Sequence, residues 1–228
     1  RFAQPSPTSH DKRWVPPAQG SRPTFASGSA ICACSSAMRM SQAMAASRPL
    51  SAAVARLAAR DVPAALERAW RLARHGAPET LDAFDEVWRA ATARRDFSIA
   101  AQAAAAAICI LDADYRDFRS FDTWASRLAA AIAHPGTQNE PSVSLLLLGA
   151  RALCALHAAE DFDDGPGIGH VVALLRRADD ADKAVLGAAA LIVLLNSWRR
   201  ERESTQIEIE AQSLAASAGP WTAGHWLS

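Results

Sequence analysis

Apolar residues recur three and four places apart along most of this chain, and no other feature constrains its fold as strongly. Leu81, Phe84, Val87, Trp88 and Ala91 make one such stripe. On a helix these side chains share one face, so each segment hides one side and leaves the other in water. The spacing predicts helices over residues 50–60, 63–74, 79–94, 98–111, 119–133, 142–159, 168–178, 181–199 and 205–218, with a further start at Pro220. Breaker residues fall between them. His75-Gly76 ends one helix, and Pro78 opens the next at a first-turn position that tolerates a missing N–H. His134-Pro135-Gly136 and Gly165-Pro166-Gly167 interrupt later ones.

Composition agrees with that pattern. Alanine fills 53 of 228 positions, and Arg outnumbers Lys by 22 to 2. Both biases favour helix and exclude an all-β, collagen-like or wholly disordered chain. The expected fold class is all-α, built from antiparallel helical hairpins. Turns fall near residues 76, 96, 115, 138, 164, 180 and 202, so alternate turns lie roughly 38 to 49 residues apart. Helix pairs at this period indicate an α-solenoid, in which each hairpin covers its neighbour's apolar face. A closed helical bundle is the competing arrangement.

Charge divides the chain. Residues 1–49 hold six basic residues against the single acid Asp11, together with six of the twelve prolines. Residues 50–228 hold 18 basic and 23 acidic residues. Residues 1–48 therefore read as a disordered Pro/Ser/Arg-rich segment, with too little apolar surface to offset the entropy of ordering. Residues 49–228 read as the helical-repeat domain. Met38, Met40 and Met44 stand just before the helical composition, whereas the chain starts at Arg1. Residues 1–39 are thus expected not to be a native part of the fold, as either a mis-called upstream extension or a fragment boundary. At the other end Trp221, Trp226 and Leu227 present apolar surface where solenoids normally finish in a polar cap. A following repeat, a dimer contact, or packing back on the body each account for it.

Motifs that carry chemistry are sparse. Cys32-Ala-Cys34 lacks the spacing of a zinc site, and Cys109 and Cys154 read as small core residues. Few cysteines and no export signal point to a reducing cytoplasm. Cys154, His157 and Asp161 share a helical face, which suits a nucleophilic Cys–His pair and equally suits a half-buried helix. The acidic stretch at 160–165 fails the calcium-loop pattern, because Phe162 and Val171 occupy ligand positions. The glycines at 165, 167 and 169 lack the Lys and Ser/Thr of a phosphate loop. No metal or cofactor is implied. A formal net charge of zero removes the simplest case for direct nucleic-acid binding. The charge-free runs 98–111 and 184–198 are shorter than the about 20 residues that span a membrane.

One stretch is more specific. Phe84, Val87, Ala91, Ala100, Ala104 and Ala107, around the turn Arg95-Asp96-Phe97, resemble the spacing of a tetratricopeptide repeat. Arg95 stands in the slot that family fills with glycine, and Trp88 where it usually has a small residue. A related turn occurs at Arg116-Asp117-Phe118, leading into Phe121 and Trp124, and a third helix pair covers 184–198 and 205–214. Residues 50–228 are similar to the helical-repeat region of large bacterial regulators such as the MalT-like activators. The resemblance implies a degenerate TPR-like α-solenoid that binds through a variable surface, and it assigns no functional residue. Side chains suited to such a surface are Trp88, Arg89, Tyr115, Arg119 and Trp124. The expected function is non-catalytic binding of a protein, peptide or small effector within a cytoplasmic bacterial regulatory protein, without nucleic acid or membrane as partner. The alternatives are a small helical enzyme using Cys154 and His157, and an inactive open-reading-frame fragment.

Overall fold

A computed structural model of the chain describes residues 61–114, 118–134, 140–160, 162 and 167–226. These residues form helices α1 (Val62–Arg74), α2 (Thr80–Ala93), α3 (Phe97–Asp114), α4 (Phe121–Ile132) and α5 (Pro141–Ala158). Helices α6 (Ile168–Leu175), α7 (Ala181–Ser197), α8 (Glu201–Ala215) and α9 (Pro220–Trp226) follow. No strand occurs among the described residues, and the fold is all-α as the apolar spacing predicts. The helix expected at 50–60 and the segment 1–48 lie outside the described residues. Most predicted ends agree within three residues. The exception is α8, which starts at Glu201 rather than 205, because Glu201 and Glu203 lie in its first turn and favour a helix N-terminus there.

Capping explains where the helices begin and stop. The side chains of Asp61, Asp96 and Asp180 accept the N–H groups of Ala64, Ile99 and Lys183 at 3.3, 3.2 and 3.2 Å, each satisfying an orphan donor of a first turn. Four helices end alike. The N–H groups of Ala77, Asp96, Glu160 and Arg200 donate to the carbonyls of Leu72, Ala91, Ala155 and Leu195 at 3.1, 2.9, 2.9 and 2.8 Å. The residue before each donor is left-handed: Gly76 (φ 61°), Arg95 (φ 59°), Ala159 (φ 54°) and Arg199 (φ 57°). This is the Schellman closure, which normally places glycine at the left-handed position. Here glycine occupies one position in four.

Packing centres on α3. Helices α1, α2, α4, α5 and α7 all touch it. Every residue from 103 to 112 is buried, as a helix enclosed on all sides requires. Helices α5 and α7 lie side by side with the same polarity. Ser142 at the start of α5 bonds to Asp179 and Asp180 just before α7, and Gly149 halfway along α5 meets Gly187 of α7. The short helix α6 packs on α5 and α8, and α8 on α7. Helix α9 packs on α1 as well as on α7 and α8, so the first and last helices among the described residues touch. A polar clasp reinforces that junction. Asp182 accepts Arg74 Nε at 2.7 Å and the Gly219 N–H at 2.9 Å, joining α1, α7 and the turn into α9.

Helices α3 and α5, at 18 residues and a mean hydropathy of 1.4, are long and apolar enough to cross a membrane. More than half of each is buried within the fold.

Candidate functional site

The sequence places Trp88 and Arg89 on α2 and Trp124 on α4, and both helices pack on α3. The structure brings these residues together around a fourth, Arg127. Its guanidinium carbon sits 4.4 Å from the ring centroid of Trp88 and 4.4 Å from that of Trp124. A cation held between two indole faces gains from both ring quadrupoles. Arg127 Nη1 also donates to Asp85 Oδ1 at 2.8 Å, and Asp85 Oδ2 accepts Arg89 Nη2 at 2.5 Å. One carboxylate thus ties two arginines, leaving the cluster net positive.

Exposure separates the roles. The Arg127 and Asp85 side chains are largely covered, at 19% and 21% exposed, whereas Arg89 is 58% exposed. Trp124 is buried, Trp88 half-buried. The Trp88 Nε1 atom is buried and makes no hydrogen bond, and an unmatched buried donor costs about 1–3 kcal/mol. Arg119 is exposed in the turn before α4, about two helical turns from Arg127. Tyr115 lies outside the described residues. Sequence reasoning missed Asp85 and Arg127, although the spacing holds a signal: Asp85 and Arg89 are four apart, Trp124 and Arg127 three apart, so each pair shares a helical face.

The Cys–His constellation has a different geometry. His157 Nε2 lies 3.7 Å from Asp112 Oδ1 on α3. Its ring packs on Phe121 and Phe118, with centroids 4.3 and 5.4 Å away. Burial pushes the Asp112 carboxyl up, partly offset by His157. Cys154 is half-buried, and burial drives its thiol up to about 11. The buried Cys109 thiol is also driven up, by burial and the nearby Asp112 carboxylate. Both therefore stay protonated at neutral pH, the opposite of an activated nucleophile. Asp161 lies outside the described residues, as do Cys32, Cys34 and the 163–166 loop. No group of metal-ligating side chains gathers among the described residues.

The apolar C-terminal side chains pack inward. Trp221 joins the core formed by α1 to α5 and α7, and Trp226 the core formed by α5 to α8; Leu227 lies outside the described residues. No protein-family model, no curated protein and no solved structure matches this chain.

Proposed function

We propose that the chain is a non-catalytic interaction module built on TPR-like helical hairpins, and that the α2–α4 face around Trp88, Arg89 and Trp124 is its contact surface. The observation that carries the reading is the Trp88–Arg127–Trp124 stack with Arg89 standing exposed beside it. Trp and Arg dominate the energetics of protein contacts, because each joins apolar area to directional hydrogen bonding. The left-handed Arg95 and the capping Asp96 support the repeat comparison, since they supply the tight turn that the tetratricopeptide pattern asks of this position. On this reading the partner is a protein, a peptide or a small effector, and the chain serves a cytoplasmic bacterial regulatory protein, as the helical repeats of MalT-like activators do.

The test is comparative capture. Tagged wild type and a Trp88→Ala/Arg89→Glu variant are incubated with lysate from the source cells, and bound proteins are quantified by mass spectrometry. Partners held by the wild type and lost from the folded variant support the reading. Identical profiles from both overturn the assignment of this face.

A further inference from the structure

Helices α4 and α5 each pack on α3 but scarcely on one another. Between them runs a trough of about 460 Å³. The two helices are antiparallel, since Phe121 at the start of α4 meets His157 near the end of α5, with ring centroids 4.3 Å apart. The buried Leu128 closes the floor. The walls are small and apolar: Ala125, Ala129 and Ile132 from α4, and Cys154, Ala155 and Ala158 from α5. Spacing of three and four places lines these side chains up as a seam on each helix, the pattern by which antiparallel helices join a bundle. Ala129 and Ala158 are exposed, and alanine lets another helix approach closely.

The trough carries one charge of each sign. Arg151 and Glu160 both line it, on either side of Ala155 along the chain, and both are exposed. Neither forms an ion pair with another described residue. The Arg151 guanidinium carbon lies 5.9 Å from the Phe162 ring centroid; a guanidinium resting on a ring still offers its in-plane N–H groups to a carboxylate. A small ligand of either charge would meet its own sign at one of these two side chains. A second copy of this chain, turned about a two-fold axis beside Ala155, meets the opposite sign at both.

From this we infer that α4 and α5 form the contact between two copies of the chain, with α5 antiparallel to its counterpart and Arg151 of each copy facing Glu160 of the other. Four helices then enclose the alanine seam, and the contact is isologous, as a two-fold axis requires. Burial of the seam drives association, while the reciprocal charge pairs fix its orientation. Trp124 and Arg127 point away from the seam, towards Trp88 of α2, so the pair of copies carries two α2–α4 faces. The inference stands without the function proposed for that face, and its test does not depend on it.

The test is sedimentation of the full chain under reducing conditions, at concentrations from about 1 to 200 μM, a range that reaches modest interfaces. A monomer–dimer equilibrium is expected. Arg151→Glu and Glu160→Arg should each weaken it about tenfold, because each sets two like-charged pairs across the axis. An equimolar mixture of these two variants should dimerise again, because every pair across the axis is then opposite in sign. Ala129→Glu, which puts a charge in the seam at a position exposed in the single chain, should abolish association. Circular dichroism and a cooperative melt check that each variant folds; if Ala129→Glu does not, the mixing experiment decides. A chain that stays monomeric throughout, a dimer indifferent to Ala129→Glu or to the charge reversals, or charge variants that fail to recover on mixing overturns the inference.

Discussion

Gly149 of α5 sits face to face with Gly187 of α7: a Cβ on Gly149 would lie 2.5 Å from the Gly187 carbonyl oxygen and 2.8 Å from its Cα. A Cβ on Gly187 would in turn strike the Leu145 carbonyl. In the middle of a helix glycine normally gives up about 1 kcal/mol against alanine. Here that is offset by close approach of two backbones, which lets the two cores of the fold share α5 and α7. Either Gly149→Ala or Gly187→Ala should therefore destabilise the fold by about 2–4 kcal/mol, despite alanine's better propensity. Urea denaturation reads the outcome. A gain in stability for either variant would mean that the helices are not in this contact.

The left-handed helix ends carry a second expectation, of opposite sign. Arg95, Ala159 and Arg199 each hold a conformation that costs an L-residue with a Cβ about 1–2 kcal/mol. Glycine at each should stabilise the chain by roughly 0.5–1 kcal/mol, less than the strain released because glycine also loosens the unfolded state. The three sites lie on different turns, so the triple variant should approach the sum. Thermal or urea unfolding of the single and triple variants measures it, and a loss of stability in all three would contradict the Schellman ends.

These two features show what was legible in the chain and what was not. Helix positions were open to reading because apolar spacing and breakers such as Gly76 and Pro78 act locally. The ends after Arg95, Ala159 and Arg199 carry no glycine, so nothing local marks their left-handed turn. Gly149 and Gly187 look like weak points in helices until the partner helix is known. The same limit applied to the site. Trp88 and Trp124 were recognisable from residue type, but their meeting around Arg127 depends on how α2 and α4 both seat on α3. His157 was linked to Cys154 by spacing, whereas the carboxyl beside it, Asp112, comes from a helix more than forty positions away.

Ser142 makes the third prediction, one with a pH signature. Its wholly buried hydroxyl donates to Asp179 Oδ1 at 2.7 Å and accepts the N–H groups of Asp179 and Asp180 at 2.9 Å each. The Ser142 hydrogen bond, helped by backbone N–H donors, holds the Asp179 carboxyl below its ordinary value. A carboxylate depressed by folding adds stability above its unfolded pKa, near 4, and loses it as pH falls through the lower folded value. Ser142→Ala should cost about 1–3 kcal/mol at neutral pH by stranding these groups. It should also flatten the acid limb, so that the gap between wild type and variant narrows as pH falls below about 4. Urea midpoints from about pH 7 down to 3 follow the difference; a gap that stays constant across that range would remove Asp179 from the account.

The last prediction separates the two arginines that share Asp85. Arg127 is covered, flat against two indoles, and bonded to a carboxylate that is itself largely buried. Removing it strips packing from Trp88 and Trp124 and leaves Asp85 with a single partner in Arg89, so Arg127→Ala should cost about 2–3 kcal/mol. Arg89 is mostly in solvent, where an ion pair contributes little, and Arg89→Ala should cost less than about 0.5 kcal/mol. If the α2–α4 face binds a partner, the order reverses in the binding assay. Arg89→Ala then weakens capture while leaving the melt unchanged, and Arg127→Lys, which keeps the charge but not the flat stack, lowers stability and binding together. Equal stability losses for Arg89→Ala and Arg127→Ala would show that the exposed guanidinium is held by the fold and does not wait for a partner.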